Sequence, residues 1–373
     1  MNMPGYLKTY IYLNSLAAYT FLFFIISPLY AADMGLSIKT TGVIFSSVYA
    51  FQALMSYILG RLFEKYPPNF GIVFGRIVFS FGPLILALTR SPFYYTLALI
   101  LASFFDIFFP AIPLLERAII PPRLRDRVYI HLIAFGETAK FFALSIFLFV
   151  DQAQFYRYFF LSVFAAALVY SLVFIVKIPI VKSGSVVHED QDLSIDRRTF
   201  LITMLNQLLV FLAFNFSSWI VISFYLKEIL HGTTNDMVIF EMMFSIGCFL
   251  AFLFSKKFLK LSLRFRLVLG TFLMSLLFFL ISVPRMTIFY ISNLVFGFGF
   301  TLWLSSKEPL KFLSAPKELG RWEGLVQGIN IFSRIFFPSI SAFLVETLSY
   351  RFVMLVGGFT IAIASLMSLG VRD

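Results

Sequence analysis

The second half of this chain repeats the first. At an offset of 195 residues, Tyr30 meets Tyr225, Val43-Ile44-Phe45 meets Val238-Ile239-Phe240, Lys65 meets Lys260, Phe70 meets Phe265, Val73 meets Val268, Gly75 meets Gly270 and Ser80 meets Ser275. With one residue fewer in the offset, Pro122 meets Pro316, Arg123 meets Lys317, Arg127 meets Arg321, Lys140 meets Arg334 and Ser145 meets Ser339. Phe-on-Phe matches weigh little among 51 Phe, but aligned Pro, Gly and Arg/Lys hold one register across a whole half. Each copy is built from long apolar runs. A bilayer core about 30 Å thick needs about 20 such residues per helix.

Charged residues make up 13% of the chain and hydrophobic ones 60%. Soluble chains carry about a quarter charged residues, so this one cannot cover a globular surface with charge. The apolar runs span approximately residues 10–32, 41–62, 70–88, 92–115, 128–150 and 155–178, then 200–225, 238–255, 265–283, 286–304, 322–344 and 352–369. They are too long and too uniformly apolar for the alternating strands of a barrel. Helices satisfy their own backbone in lipid. The expected fold is therefore an all-α membrane protein of twelve transmembrane helices in two parallel six-helix repeats. Residues 1–180 form the first bundle and 199–373 the second. Residues 181–198, rich in Asp, Glu, Ser and Gly, form a solvated linker. The first run is too long for a signal-peptide core of about 7–15 residues, and the repeat needs it as a partner of the seventh.

The net charge of +11 is distributed in a way that argues against nucleic acid. Lys and Arg sit in the short breaks between runs, not in one patch. Breaks after even-numbered runs are crowded, as with Arg117, Arg123, Arg125 and Arg127, or Lys307, Lys311, Lys317 and Arg321. The opposite breaks carry single bases: Lys39, Arg90, Arg157, Lys227, Arg285 and Arg351. The positive-inside rule then predicts a multi-pass protein of the cell membrane with both termini in the cytoplasm. Cys248 is the only cysteine, and His131, His188 and His231 match no ligand spacing, so no disulfide, metal site or cofactor is expected.

The loop after the second run reads Gly60-Arg61-Leu62-Phe63-Glu64-Lys65-Tyr66-Pro67-Pro68. With the six-plus-six layout, it resembles the major facilitator superfamily, whose pattern there is a Gly, an acid four residues on and then a base. Gly60, Glu64 and Lys65 keep that pattern; Pro67 and Pro68 depart from it. The resemblance implies a cytoplasmic gate latch at this loop, and transport by alternating access. The run 128–150 carries Gly136-Glu137-Thr138-Ala139-Lys140-Phe141-Phe142-Ala143, not the Gly- and Pro-rich stretch of the family's drug/proton antiporters.

Ionisable residues inside a span cost a few kcal/mol each on insertion scales and mark function by default. Lys140 and Arg334 hold equivalent places in the two copies. In the family the fifth and eleventh spans reach the interface between the halves. Two cations facing one cavity would suit an anionic small-molecule substrate, with Arg334 as the bidentate anchor. The alternative is a local pair: Glu137 and Lys140 are three residues apart, on one helical face. Asp106 has no acidic counterpart, since Phe300 holds its place in the copy. Asp106 and Glu137 are the candidates for proton coupling, the alternative for Asp106 being a carboxylate held by Lys140 or Arg76. Asn206, Gln207, Asn215, Gln327 and Asn330 are candidate path-lining residues, or else bond helix to helix.

The predicted function is a secondary transporter for a small organic anion, coupled to protons and surrounded by membrane lipids. Efflux of amphipathic compounds or lipids is the nearest alternative. A membrane enzyme or non-transporting sensor is the alternative of another class; no catalytic cluster or nucleotide-binding Gly-x-x-x-x-Gly-Lys-Ser/Thr loop supports one.

Overall fold

The computed structural model describes residues 4–63, 66–108, 111–121, 124–181, 196–314 and 319–372, and among them every regular element is helical. The first half holds α1 (Gly5–Asp33), α2 (Ile38–Phe63), α3 (Pro68–Leu88), α4 (Pro92–Ala102), α5 (Phe104–Ile107), α6 (Ala111–Ile119), α7 (Arg125–Phe147) and α8 (Gln152–Lys177). The second holds α9 (Arg197–Phe216), α10 (Trp219–Glu228), α11 (Thr234–Leu253), α12 (Ser255–Phe258), α13 (Leu263–Ile281), α14 (Met286–Ser314), α15 (Leu319–Thr347) and α16 (Tyr350–Met367). Among the described residues, ten helical stretches are long and apolar enough to cross a membrane, and Pro92–Ile107 is a shorter apolar one. With the 26-residue α2, this is consistent with the twelve predicted spans.

Two predicted spans are broken. The fourth divides into α4, α5 and α6, with a turn at Ser103 and another at Phe108. The freed backbone there closes in tighter bonds, from Asp106 N to Ser103 O and from Ala111 N to Phe108 O, both 3.0 Å. The seventh divides at Ser217 and Ser218 into α9 and α10, and the Ser217 hydroxyl bonds the Val353 carbonyl at 2.7 Å. Breaks at membrane depth persist only where side chains and neighbouring helices satisfy the backbone, as they do here.

The matched glycines have a packing reason. A Cβ on Gly75 of α3 would lie 2.9 Å from the Phe104 carbonyl of α5. A Cβ on Gly270 of α13 would lie 2.5 Å from the Trp303 nitrogen of α14. Equivalent helices therefore approach closely in both copies, and only Gly leaves room.

The halves meet along two equivalent seams, α2 with α15 and α11 with α7. In the first, Ser46 and Ser339 share a hydrogen bond at 2.8 Å, and a Cβ on Gly42 would lie 2.8 Å from the Pro338 carbonyl. Lys39 and Glu346 pair at its end. Nearby, Lys227 of α10 holds Asp33 of α1 at 2.8 Å, and the Tyr156 hydroxyl of α8 also bonds Asp33. The halves are thus clasped at the end that carries the α1–α2 turn.

Glu64, Lys65, Pro122, Arg123, Pro316, Lys317 and most of the predicted linker lie outside the described residues. Of the gate motif, only the helical backbone at Gly60 is described. Two bases assigned by sequence to a solvated break are instead buried: Lys307 and Lys311 lie in α14, both held 2.6 Å from Glu308. The helix runs past the end of its apolar run because Glu308 neutralises its neighbours one residue before and three after.

Candidate substrate site between the halves

Arg334, on α15, reaches α5 in the other half. Its Nη2 lies 2.6 Å from Asp106 Oδ2, and its guanidinium lies 4.1 Å from the ring centre of Tyr49 on α2. Lys140, on α7, lies 2.6 Å from Glu137 Oε2 and 3.3 Å from Glu241 Oε2 on α11. Its ammonium lies 4.5 Å from the ring centre of Phe244. Ser245 donates to Glu137 Oε2 at 2.9 Å.

These two clusters are copies of one plan. Tyr49 and Phe244 are 195 residues apart, just as Lys140 and Arg334 are equivalent. Each cation crosses its seam and stacks on the matched aromatic of the facing helix, a contact worth about 2 kcal/mol when desolvated. The acids break the symmetry. Asp106 corresponds to Phe300, and Glu241 corresponds to Ser46.

The arrangement differs from the predicted one at several points. Lys140 and Arg334 occupy separate seams, the first between α7 and α11 and the second between α15 and α2. Each is neutralised by carboxylates, because a cation in a low-dielectric seam needs an opposite charge within reach. The partner of Asp106 is Arg334, not Lys140 or Arg76. Glu137 does pair with Lys140, and Glu241 joins them. Glu241 was missing from the sequence-derived candidates, although an acid beside the matched Val-Ile-Phe run was visible.

Exposure separates the two clusters. Arg334 and Asp106 keep 18% and 14% of their side-chain surface open. Lys140 and Glu241 keep 5% and 2%. Glu137 keeps 11%, so the clusters differ most at Arg334 against Lys140 and at Asp106 against Glu241. With every group charged, Arg334 and Asp106 balance, whereas two carboxylates face Lys140.

Polar residues extend from Arg334 along α15. Asn215 Nδ2 on α9 donates to Asn330 Oδ1 at 2.8 Å and to Ser333 Oγ at 2.7 Å. Asn330 donates to Gln327 Oε1 at 3.3 Å. Asn215, Gln327 and Asn330 are half-buried and Ser333 is buried, and Gln327 and Asn330 are spaced to share a helix face with Arg334. Gln207 is buried.

Asn206 is placed differently from the expected path-lining role. It is fully buried, accepts from Trp303 Nε1 at 2.7 Å and donates to Thr271 Oγ1 at 3.0 Å and Ser368 Oγ at 2.9 Å. It ties α9 to α13 and α14. Asn206→Leu should lower stability by about 1–3 kcal/mol, chiefly by orphaning the indole N–H. Thermal unfolding in detergent measures this; an unchanged midpoint would contradict the structural role.

A family model described as Major Facilitator Superfamily matches residues 10–306. No curated protein sequence matches. The fold is similar to the crystal structure of the human organic anion transporter MFSD10 (TETRAN), with TM-score 0.67, 11% identity, and coverage of 98% of this chain and 100% of that one. A POT family transporter in complex with a thioalcohol-conjugated peptide gives TM-score 0.69 at 14% identity, covering 97% and 95%. A variant of the nucleoside transporter NupG gives 0.66 at 13%, covering 98% and 100%. At these identities the likeness is one of fold.

Proposed function

The chain belongs to the Major Facilitator Superfamily, and from that premise we propose that it carries a small organic anion across the cell membrane by alternating access. Residues 1–180 and 199–373 are the rocking bodies, joined by 181–198. The positive-inside pattern puts the α1–α2 end outside and both termini in the cytoplasm. The clasped α1–α2 end then makes this conformation closed to the outside.

The observation that carries the proposal is the mostly buried ion pair between Arg334 and Asp106, which bridges the halves and keeps a small part of its surface exposed. A guanidinium already holding a carboxylate has the geometry to hold another. A solute carboxylate or phosphate replaces Asp106 on Arg334, and Gln327, Asn330 and Asn215 supply hydrogen bonds along the same face. The organic anion transporter among the structural neighbours agrees with this substrate class. The Glu137–Lys140–Glu241 cluster binds and releases the coupling proton as its seam opens. Of the two expected coupling groups this keeps Glu137 and sets Glu241 beside it in place of Asp106.

Uptake into proteoliposomes tests this with a panel of carboxylates, phosphates, nucleosides, peptides, lipophilic cations and labelled lipids, with and without a pH gradient. Wild-type protein should take up an organic anion, faster with the gradient. Arg334→Gln should lose that uptake, and Glu241→Gln should keep exchange but lose the response to the gradient. Movement of lipophilic cations or lipids with no anion flux would overturn the proposal.

A further inference from the structure

Displacing Asp106 from Arg334 raises a problem of charge. The released carboxylate stays in a seam of low dielectric, where an unpaired charge is costly. Either a proton or a second cation must offset it. A second cation stands beside it. Arg76, on α3, is buried, and among the described residues no carboxylate pairs with it. Its Nη1 donates to the Thr20 hydroxyl. Its guanidinium lies between two rings, 4.1 Å from the centre of Phe105 and 4.5 Å from that of Tyr170. Its Nε is buried without an acceptor. A buried donor left unmatched is unusual, since nine in ten or more are satisfied.

Three features set the segment that carries Asp106 against the helix of that donor. Phe105, the ring under Arg76, is its immediate neighbour in sequence. Gly75, next to Arg76, lets α3 lie directly against the Phe104 carbonyl of α5. A void of about 10 Å³ adjoins Arg76, lined by Ile72, Phe105, Phe108 and Ile112; it is of the size of one water. The segment that carries Asp106 is also the one able to turn. α5 is four residues long, with a turn at each end, so a small rotation there redirects the carboxylate without breaking a continuous helix.

We propose that Asp106 has two cation partners, Arg334 across the seam and Arg76 within its own half, and passes from the first to the second when a solute anion takes Arg334. This deepens the proposed anion exchange and rests on it. Arg76 is then a positioning residue. It gives the displaced carboxylate a paired state, so that anion binding uncouples the halves at this point. An empty carrier keeps them tied through Arg334.

The test needs no substrate. Arg334→Gln removes the first partner, and Asp106 should then depend on Arg76. Thermal unfolding is measured for Arg334→Gln, Arg76→Gln, the double variant, and the double variant with Asp106→Asn. The double variant should unfold about 5 °C or more below the sum of the single shifts, because Asp106 has lost both cations. Asp106→Asn should recover most of that excess. Arg76→Lys in the Arg334→Gln background keeps the charge and should unfold close to Arg334→Gln alone. Additive shifts, no recovery by Asp106→Asn, or Arg76→Lys as damaging as Arg76→Gln would overturn the proposal. Non-additive shifts with no anion flux in the wild type would leave the two-partner role of Asp106 standing and remove the anion as its trigger.

Discussion

Oxidising a Ser46→Cys/Ser339→Cys pair should stop solute flux, and reduction should restore it. Alternating access requires the clasp at the α1–α2 end to open once per cycle. The two hydroxyls are 2.8 Å apart across the α2–α15 seam, so cysteines there bring their sulfurs together, and a disulfide holds the Cβ atoms about 3.8 Å apart. The contact is tight because Gly42 carries no side chain against the Pro338 carbonyl. The native Cys248 is buried in α11 and does not compete for the oxidant. Uptake of whichever panel solute the wild type carries is measured before oxidation, after it and after reduction. Undiminished flux through fully cross-linked protein would show that this seam does not open during transport.

Lys140→Met should be the most damaging single substitution in the membrane interior. It leaves Glu137 and Glu241 facing one another in a seam where Glu241 is only 2% exposed. Removing one partner of a buried pair costs about 3–5 kcal/mol; here two carboxylates lose the same cation. Adding Glu241→Gln should recover a large part of the loss, since one carboxylate and the Ser245 hydroxyl remain. The loss should also depend on pH. In the variant, a folded state that must hold a proton on one carboxyl is stabilised as pH falls, so Lys140→Met should unfold at higher temperature near about pH 5 than near about pH 8. Thermal unfolding at both pH values decides it. Wild-type stability in Lys140→Met at about pH 8 would mean that the ammonium does not hold the seam together.

Much of the site was legible because lipid makes charge conspicuous. Asp106, Glu137, Lys140 and Arg334 stand out from apolar runs, and each is in a buried or half-buried ion pair. Glu241 was equally conspicuous but sat beside a matched run that was read for its repeat alone. The partners were not legible. Asp106 and Arg334 are 228 residues apart, and nothing local says which helices abut. The polar amides show the same limit. Asn206 and Asn215 lie on one helix, yet Asn206 points into a closed network with Trp303 while Asn215 joins Asn330 beside Arg334. Apolar runs also hid the breaks at Ser103, Phe108 and Ser217, because hydropathy reports burial in lipid and not the continuity of the backbone.

The duplication, the apolar runs and the equivalence of Lys140 with Arg334 were all present in the sequence alone. So was the matching of Tyr49 with Phe244, because a repeated sequence must place the same residues at equivalent points of a repeated fold. Folding in three dimensions settled how each cation is neutralised. One faces a single carboxylate; the other faces two, of which Glu241 is almost fully buried. Coulomb energy depends on separation in space and on the surrounding dielectric, and neither is written along the chain. The unequal acids make the two seams chemically different although their cations are equivalent.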